Sequence, residues 1–393
     1  MLDRSQLKDI LSIWLSLGLF TLLTSLFWLT DRSLYSKSFY LLFAFPALLG
    51  LIVARTEMLP ILRQPPVLLF LLLAAWVLAS LSWAEGEGVT SSLIKRPLYI
   101  FLAIAGLAYL GSVRAPIPIR NLLLISMFVI TAFVVWSAVE FIQTPRKPWD
   151  NRYIGPGVLV HPLLTSHILG LMFVFGMASV LLSNRLNRFT WICLLCCPLL
   201  LWGIVLTGSR TPLVGIAAML CWLCLLRPNR RTLGILALMA TLALVAYIVQ
   251  PTIFTSRGVS WRPDIWSAAL DKIMGHPLIG YGFEGDIAFP VENMKRIWRD
   301  PHNIPLAVAL ELGLIGLILW LAMHTSVLHA CVVNRNNTEV VVASCLLVFG
   351  LAAGLTEGGN FFSRPNESWF ITWIPLAFAV AATARIRTNK MSS

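Results

Sequence analysis

Apolar residues along this chain come in long runs separated by short polar turns, with one exception. The runs cover 10–30, 38–54, 65–83, 97–111, 121–142, 158–182, 190–206, 211–226, 232–249, 304–330, 339–356 and 368–384. About 20 apolar residues in helical form cross the hydrocarbon of a bilayer, so this pattern predicts about 12 transmembrane helices. The exception is the polar stretch 250–302, which carries Arg257, Arg262, Lys272, Lys295, Arg296 and Arg299. Two short amphipathic helices are predicted inside it. The first starts at Pro263, keeps Ile265, Trp266, Ala269, Leu270, Ile273 and Met274 at helical spacing, and stops at Gly275 and Pro277. The second spans Pro290–Trp298, with Val291, Met294 and Ile297 or Trp298 opposite Lys295 and Arg296. The expected fold is therefore all-α: residues 1–393 form a single polytopic membrane domain, and the loop 250–302 lies on the membrane surface as a folded cap.

Composition strengthens this reading. Apolar residues make up 58% and charged residues 12%, a balance that excludes a soluble domain with one core. The net charge of +12 could suggest nucleic acid. The basic residues sit at helix ends and in one loop, however, which suits membrane orientation and anionic lipid substrates; no nucleic-acid partner is expected. An even number of spans puts both termini on one side. Once the six basic residues of the long loop are set aside, the short-loop bias makes that side cytoplasmic. The seven cysteines lie in or at the ends of apolar runs. Cys193, Cys196, Cys221 and Cys224 spell CxxC…CxxC, but both pairs fall inside predicted spans and read as apolar packing. The first apolar run is too long for a removable leader.

Several polar groups gather at the end of the bundle expected to face outward. Thr207-Gly208-Ser209-Arg210-Thr211-Pro212 joins two spans, with Thr211 as expected cap and Pro212 as first helical residue. A helix N-terminus beside Arg210 is an anion site in outline, although a tight turn with a snorkelling arginine would look the same. Arg152 and His161 stand at the entrance of the sixth span, where His161 could equally be a helix-end hydrogen-bond partner. His302, followed by Asn303 and Pro305, closes the long loop; an imidazole there could take a proton from a hydroxyl nucleophile. Glu311, about 13 Å further along the same helix, is too far for a direct pair and is costly at that depth without a partner. Glu140 and Glu357 are similar acids at outer helix ends. Gly280, Gly282 and Gly285 match GxGxxG, but with no strand before them a dinucleotide site is not expected. Glu284 and Asp286 are a weak candidate for metal ligation, and no metal or other cofactor is expected.

Arg262-x-x-x-Trp266, continuing through Ala269-Leu270 and Ile273 to Pro277, Gly280 and Gly282, resembles the signature loop of bacterial O-antigen ligases and their relatives. The Ser209-Arg210 turn matches a second element of that family, and His302-Asn303 with Glu311, Gly313 and Gly316 a third. Pro263 directly after Arg262 departs from the pattern and leaves the charge in place. The resemblance covers roughly residues 152–317 and extends to polysaccharide polymerases and protein O-oligosaccharyltransferases. The chain stops soon after its twelfth span, which favours the ligase. A transporter of anionic lipids, the rival class, would want polar groups near mid-membrane.

The resemblance implies a GT-C-type membrane glycosyltransferase of the bacterial inner membrane, acting on the periplasmic face. Its donor would be an undecaprenyl-pyrophosphate-linked glycan and its acceptor lipid A–core, both reached among the membrane lipids. His302 would be catalytic and Arg152, Arg210 and Arg262 would hold the pyrophosphate. Asn303, Glu311, Trp266 and His161 would support them, without a metal.

Overall fold

A computed structural model describes residues 3–86, 90–112, 115–144, 151–249, 261–291 and 296–392. Pro251, Arg257, Met294, Lys295 and the pair Arg146–Lys147 lie outside the described residues. Among those described, eight helices are long and apolar enough to cross a membrane: Arg4–Phe27, Arg32–Val53, Ser91–Ser112, Ile119–Gln143, Pro162–Leu181, Arg188–Thr207, Arg230–Val249 and Ile304–Val333. Arg55–Leu62 and Pro65–Ser80 form a further pair, bent by 76° at the break between them. Three shorter apolar helices, Thr211–Leu226, Thr338–Gly354 and Trp373–Ile386, fall in the remaining predicted runs. The chain is an all-α polytopic membrane protein.

The helices pack as neighbours across sequence. Pro162–Leu181 lies against Arg188–Thr207 and Thr338–Gly354, and Thr211–Leu226 also packs on Thr338–Gly354. Small residues set the closeness of that seam: the Phe349 ring fills the space that a Cβ on Gly170 or Gly215 would need. Pro65–Ser80 packs on Ile304–Val333, and Ser91–Ser112 on the last helix. Arg230–Val249 buries almost none of its described side chains, as suits a helix facing lipid.

Ile304–Val333 is not continuous. Gly313 has φ +64° and ψ −167°, and the segment Pro277–Gly282 enters the break. The N–H groups of Tyr281 and Gly282 donate to the carbonyls of Leu310 (2.9 Å) and Glu311 (2.8 Å). Those of Leu314 and Ile315 donate to the carbonyls of Pro277 (2.8 Å) and Leu278 (3.2 Å). Trp76 Nε1 donates to the Leu312 carbonyl at 3.0 Å. Lipid could satisfy none of these backbone groups, so the loop does. Gly280, at φ +68°, and Gly313 both occupy the left-handed region. A Cβ on either would stand within 2.5 Å of the opposing backbone. The GxGxxG match thus has a structural cause: its first two glycines fit the chain against the helix break and against Ala84.

The first cap helix is present as Arg262–Ile273, one residue earlier than Pro263 suggests. Its apolar residues form two rows. Ile265 and Ala269 enter a small core with Phe289, Val291 and Leu310, while Leu270 and Met274 remain exposed, as a face toward the membrane surface would. The second predicted cap helix is wrong. Residues Phe289–Val291 (β1) and Arg296–Trp298 (β2) are antiparallel strands, pairing Phe289 with Trp298 and Val291 with Arg296. Phe289 and Val291 bury one face of β1 while Pro290 between them is exposed. That is strand alternation, with the proline at a position that donates no ladder bond.

Candidate active site

Three chain segments meet at one end of the bundle. The first is the turn after Arg188–Thr207. Gly208, at φ +61°, ends that helix in the left-handed conformation. Arg210, not Thr211, is the N-cap residue of the next helix, and its side chain is exposed. Thr211 is the first helical residue, and its Oγ1 accepts a hydrogen bond from Thr356 Oγ1 at 3.3 Å. Arg152 clasps the same turn, donating from Nε to the Thr207 carbonyl (2.8 Å) and from Nη2 to Ser209 Oγ (3.0 Å).

The second segment follows Thr338–Gly354 and carries Glu357, beside the Thr356 that holds the turn. The third is the end of the long loop. Arg262, at the start of the cap helix, reaches Glu357 with Nη2 at 3.5 Å from Oε2. His302 Nδ1 lies 3.5 Å from Glu357 Oε1 and 3.7 Å from Asp300 Oδ2. These separations exceed the 2.7–2.9 Å of a strong charge-assisted bond, so the carboxylates attract the ring without locking it. Glu357 is therefore the hub: it faces Arg262 and His302, and it adjoins the residue bonded to the Arg210 turn.

His302 itself is held by its backbone. Its N–H donates to Asp300 Oδ1 at 2.7 Å, and its φ of +50° is uncommon for any residue but glycine. Such a conformation costs on the order of 1–3 kcal/mol and persists only where its surroundings impose it. Asn303 next to it caps Ile304–Val333, accepting from Leu306 N–H (3.0 Å) and donating to the Leu355 carbonyl (2.9 Å). Trp266 Nε1 donates to the Pro301 carbonyl at 3.1 Å, strapping the cap helix to the histidine loop. The hairpin brings the Trp298 ring edge-on to the imidazole, 5.6 Å between centres. Side-chain exposure of His302 is 32%, so the ring is reachable from outside.

Electrostatics sharpen the arrangement. The Glu357 carboxylate beside it raises the His302 pKa above its ordinary value; burial opposes this, the charge of Asp300 adds to it, and Arg262 works against it. Burial pushes the Glu357 carboxyl up, but His302, His167 and Arg262 together hold it below its usual range. Asp300 is raised by burial, partly offset by His302. The histidine is thus a stronger base than free imidazole, backed by an ionised carboxylate.

Beside His302 lies a polar cavity of about 810 Å³, touching Asp300 and Pro301 and lined also by Arg96, Arg299, Glu284 and Glu311. Glu311 Oε2 accepts from the Glu284 N–H at 3.1 Å. The Glu284 and Asp286 carboxylates each face an arginine, Arg96 for the first and Arg299 (3.2 Å) for the second. Among the described residues no group of three His, Cys, Asp or Glu side chains converges as metal ligands would.

A protein of Pseudomonas aeruginosa named O-antigen ligase is 39% identical over 382 residues, 96% of this chain and 93% of that one. The chain belongs to the O-antigen ligase family. The family's own sequence model, described as O-Antigen ligase, matches residues 195–321, from within the Arg188–Thr207 helix to beyond the Gly313 break. A Rickettsia felis protein, whose name places it provisionally among polysaccharide ligases, is 31% identical over 147 residues, about a third of either chain.

Of the residues singled out from sequence, His302 and Arg262 come together around Glu357, with Arg210 on the neighbouring turn and Arg152 bonded to that turn. Trp266 and Asn303 brace the loop, and Glu311 lines the cavity that Asp300 also walls. His161 is the N-cap of Pro162–Leu181, its Nδ1 accepting from Leu163 N–H at 3.2 Å, which is the plain structural role open to it from the start. Glu357 reads in the sequence only as an acid at a helix end. The signal was the cost of an acid there without a partner; its partners stand 55 and 95 residues away in sequence.

Proposed function

We propose that this protein transfers O-antigen polysaccharide from undecaprenyl pyrophosphate to a hydroxyl of lipid A–core oligosaccharide. The reaction takes place on the periplasmic face of the bacterial inner membrane, with both termini cytoplasmic. The observation that carries this reading is the meeting of His302 with the Glu357–Arg262 pair and with Asp300, which also walls the polar cavity. The likeness to the Pseudomonas aeruginosa O-antigen ligase supports it.

In this reading the acceptor sugar occupies the cavity and offers its hydroxyl to His302 Nε2, since Nδ1 is turned toward the carboxylates. The acceptor oxygen bonds to the donor's anomeric carbon as the bond from that carbon to the phosphate oxygen breaks. The hydroxyl proton passes to Nε2, and undecaprenyl pyrophosphate departs with the bonding electrons. Arg262, Arg210 and Arg152 receive the developing charge, as guanidinium groups fixed in a cleft stabilise a leaving phosphate without reorganising. Glu357 and Asp300 orient the imidazole and stabilise its protonated form, as a buried acid does for a catalytic histidine.

The test is direct. Purified protein incubated with undecaprenyl-pyrophosphate-linked glycan and lipid A–core should yield glycan on the core, and EDTA should not change the yield. Elongation of the lipid-linked glycan instead would make the protein a polymerase. A clear EDTA loss restored by Mg²⁺ would bring Glu284 and Asp286 into the chemistry. Cysteines placed near Lys295 should react with impermeant reagents from the periplasm, and one near Arg230 should not.

A further inference from the structure

A second cavity, of about 600 Å³, lies at the opposite end of the bundle. The helix Arg188–Thr207 runs from one end to the other: its start lines this cavity, and its last residue lies in the turn held by Arg152. Twenty residues of helix separate the two by roughly 30 Å. The cavity therefore has no part in the transfer site and needs its own explanation.

Its lining is divided. Leu123, Phe175, Leu346 and Phe378 make the interior apolar, while Arg120, Asn187, Thr190, Thr338 and Arg385 bring polar groups. Among the described lining residues the one carboxylate is Glu339, and Arg385 pairs with it at 2.7 Å. Arg120 is placed differently. Its guanidinium rests on the Phe189 ring, 4.6 Å from the ring centre, and among the described residues no carboxylate lies within ion-pair distance of it. It stands in the first turn of Ile119–Gln143, a helix that begins at Pro118 with no side-chain cap. The Ile119 and Arg120 N–H groups precede the first helical hydrogen bond, which the Asn121 N–H gives to the Pro118 carbonyl at 2.9 Å, and they add a positive dipole end to the arginine's charge.

Length adds a separate argument. Thr338–Gly354, which forms one wall, has 17 residues. It therefore spans about 25 Å, less than the ~30 Å of a bilayer's hydrocarbon, and such a mismatch leaves a notch for lipid to fill. An aqueous anion would satisfy the arginine and leave the apolar depth wet. A neutral lipid would fill the depth and leave the arginine without a counter-charge.

We propose that this cavity binds an anionic glycerophospholipid, its phosphate held by Arg120 and the open helix start, and the beginning of an acyl chain lying among Leu123, Phe175 and Leu346. The proposal is independent of the transfer reaction.

Native mass spectrometry of the full-length protein, delipidated and then given phosphatidylglycerol or diacylglycerol of matched chains, tests it. Phosphatidylglycerol should be retained and diacylglycerol, which has the chains without the phosphate, largely lost. Arg120→Gln should weaken phosphatidylglycerol retention about tenfold or more, the worth of one charge-assisted contact. Arg63→Gln, an exposed arginine at the same end, should leave it unchanged. Ala382→Phe, which narrows the apolar part, should weaken retention with Arg120 intact. Equal retention of the two lipids, or unchanged phosphatidylglycerol binding in Arg120→Gln, overturns the proposal. Displacement of the lipid by glycerol 3-phosphate at comparable concentration also overturns it, because the site would then take a free phosphate.

Discussion

The break at Gly313 in Ile304–Val333 and the junction at His302, just before that helix, lie eleven residues apart and are built on opposite principles. At the break, backbone groups pair with backbone groups at 2.8–3.2 Å, and glycines are required because nothing larger fits. At the junction, charged side chains stand 3.5–3.7 Å apart around a histidine with a strained backbone. The first region has used its polar capacity in folding. The second keeps its charges apart, at separations longer than a strong charge-assisted bond. Glycines in a loop motif and charges in a loop motif therefore report different things, even where one stretch of sequence carries both.

Substitutions should separate the two regions. His302→Ala is expected to have the largest effect, lowering transfer by about 10²–10⁴ in rate while the protein still inserts and still binds donor; His161→Ala, at a helix cap, should be mild. Steady-state rates and donor retention measured on the same preparations check this, and a near wild-type rate would move the base elsewhere.

Next come Arg210→Ala and Arg262→Ala, each expected to cost about 10²–10³. Lysine in either place should recover only part, since an ammonium lacks the two-pronged fork that grips a phosphate. Full activity in both alanine variants would leave the pyrophosphate site unassigned.

Glu357→Gln should cost less, about tenfold, and should also move the pH profile. In the proposed reaction neutral His302 is the base, so the rate should fall as pH drops through its pKa, which Glu357 and Asp300 hold above the ordinary value. Removing the Glu357 charge takes away the largest raising contribution, so the acid limb shifts to lower pH. Arg262 acts in the opposite direction, so residual activity in Arg262→Ala should show a limb shifted to higher pH. A profile that does not move in either variant would separate the limb from His302.

Gly280→Ala belongs to the other region and should affect chemistry least. A Cβ there would meet the Glu311 backbone at 2.5 Å, so thermal stability and the yield of inserted protein should drop. The rate per folded molecule should hold. A selective loss of rate with unchanged stability would mean that the break takes part in catalysis.

The apolar spans were legible because length and hydropathy are properties of a run, not of single residues. His302, Arg262 and Arg210 were legible because unusual chemistry at a helix boundary stands out in an apolar chain. The β1–β2 hairpin was not: three-residue strands are too short to show a period, and Pro290, Val291 and Ile297 fit a helical face as readily as a strand. Glu357 was seen and not placed, because its role depends on Arg262 and His302, which reach it only through the tertiary fold. The insertion of Pro277–Gly282 into a helix break leaves no trace in hydropathy. Its glycines match a nucleotide motif that the lack of a preceding strand already argues against, but nothing in the sequence shows what they do instead.

Trp76 donates to the Leu312 carbonyl across 236 residues of chain. A polypeptide entering the bilayer in order presents that indole N–H long before its acceptor has been synthesised. The converse holds for Leu310–Ile315, whose backbone would enter lipid with bare carbonyls and amides, each costing several kcal/mol, unless Pro277–Gly282 were already beside it. Insertion of this span and docking of the preceding loop thus become one event. Biogenesis acquires a checkpoint: a chain that fails to seat the loop leaves the span unfit for lipid and open to quality-control proteolysis, before any substrate is met.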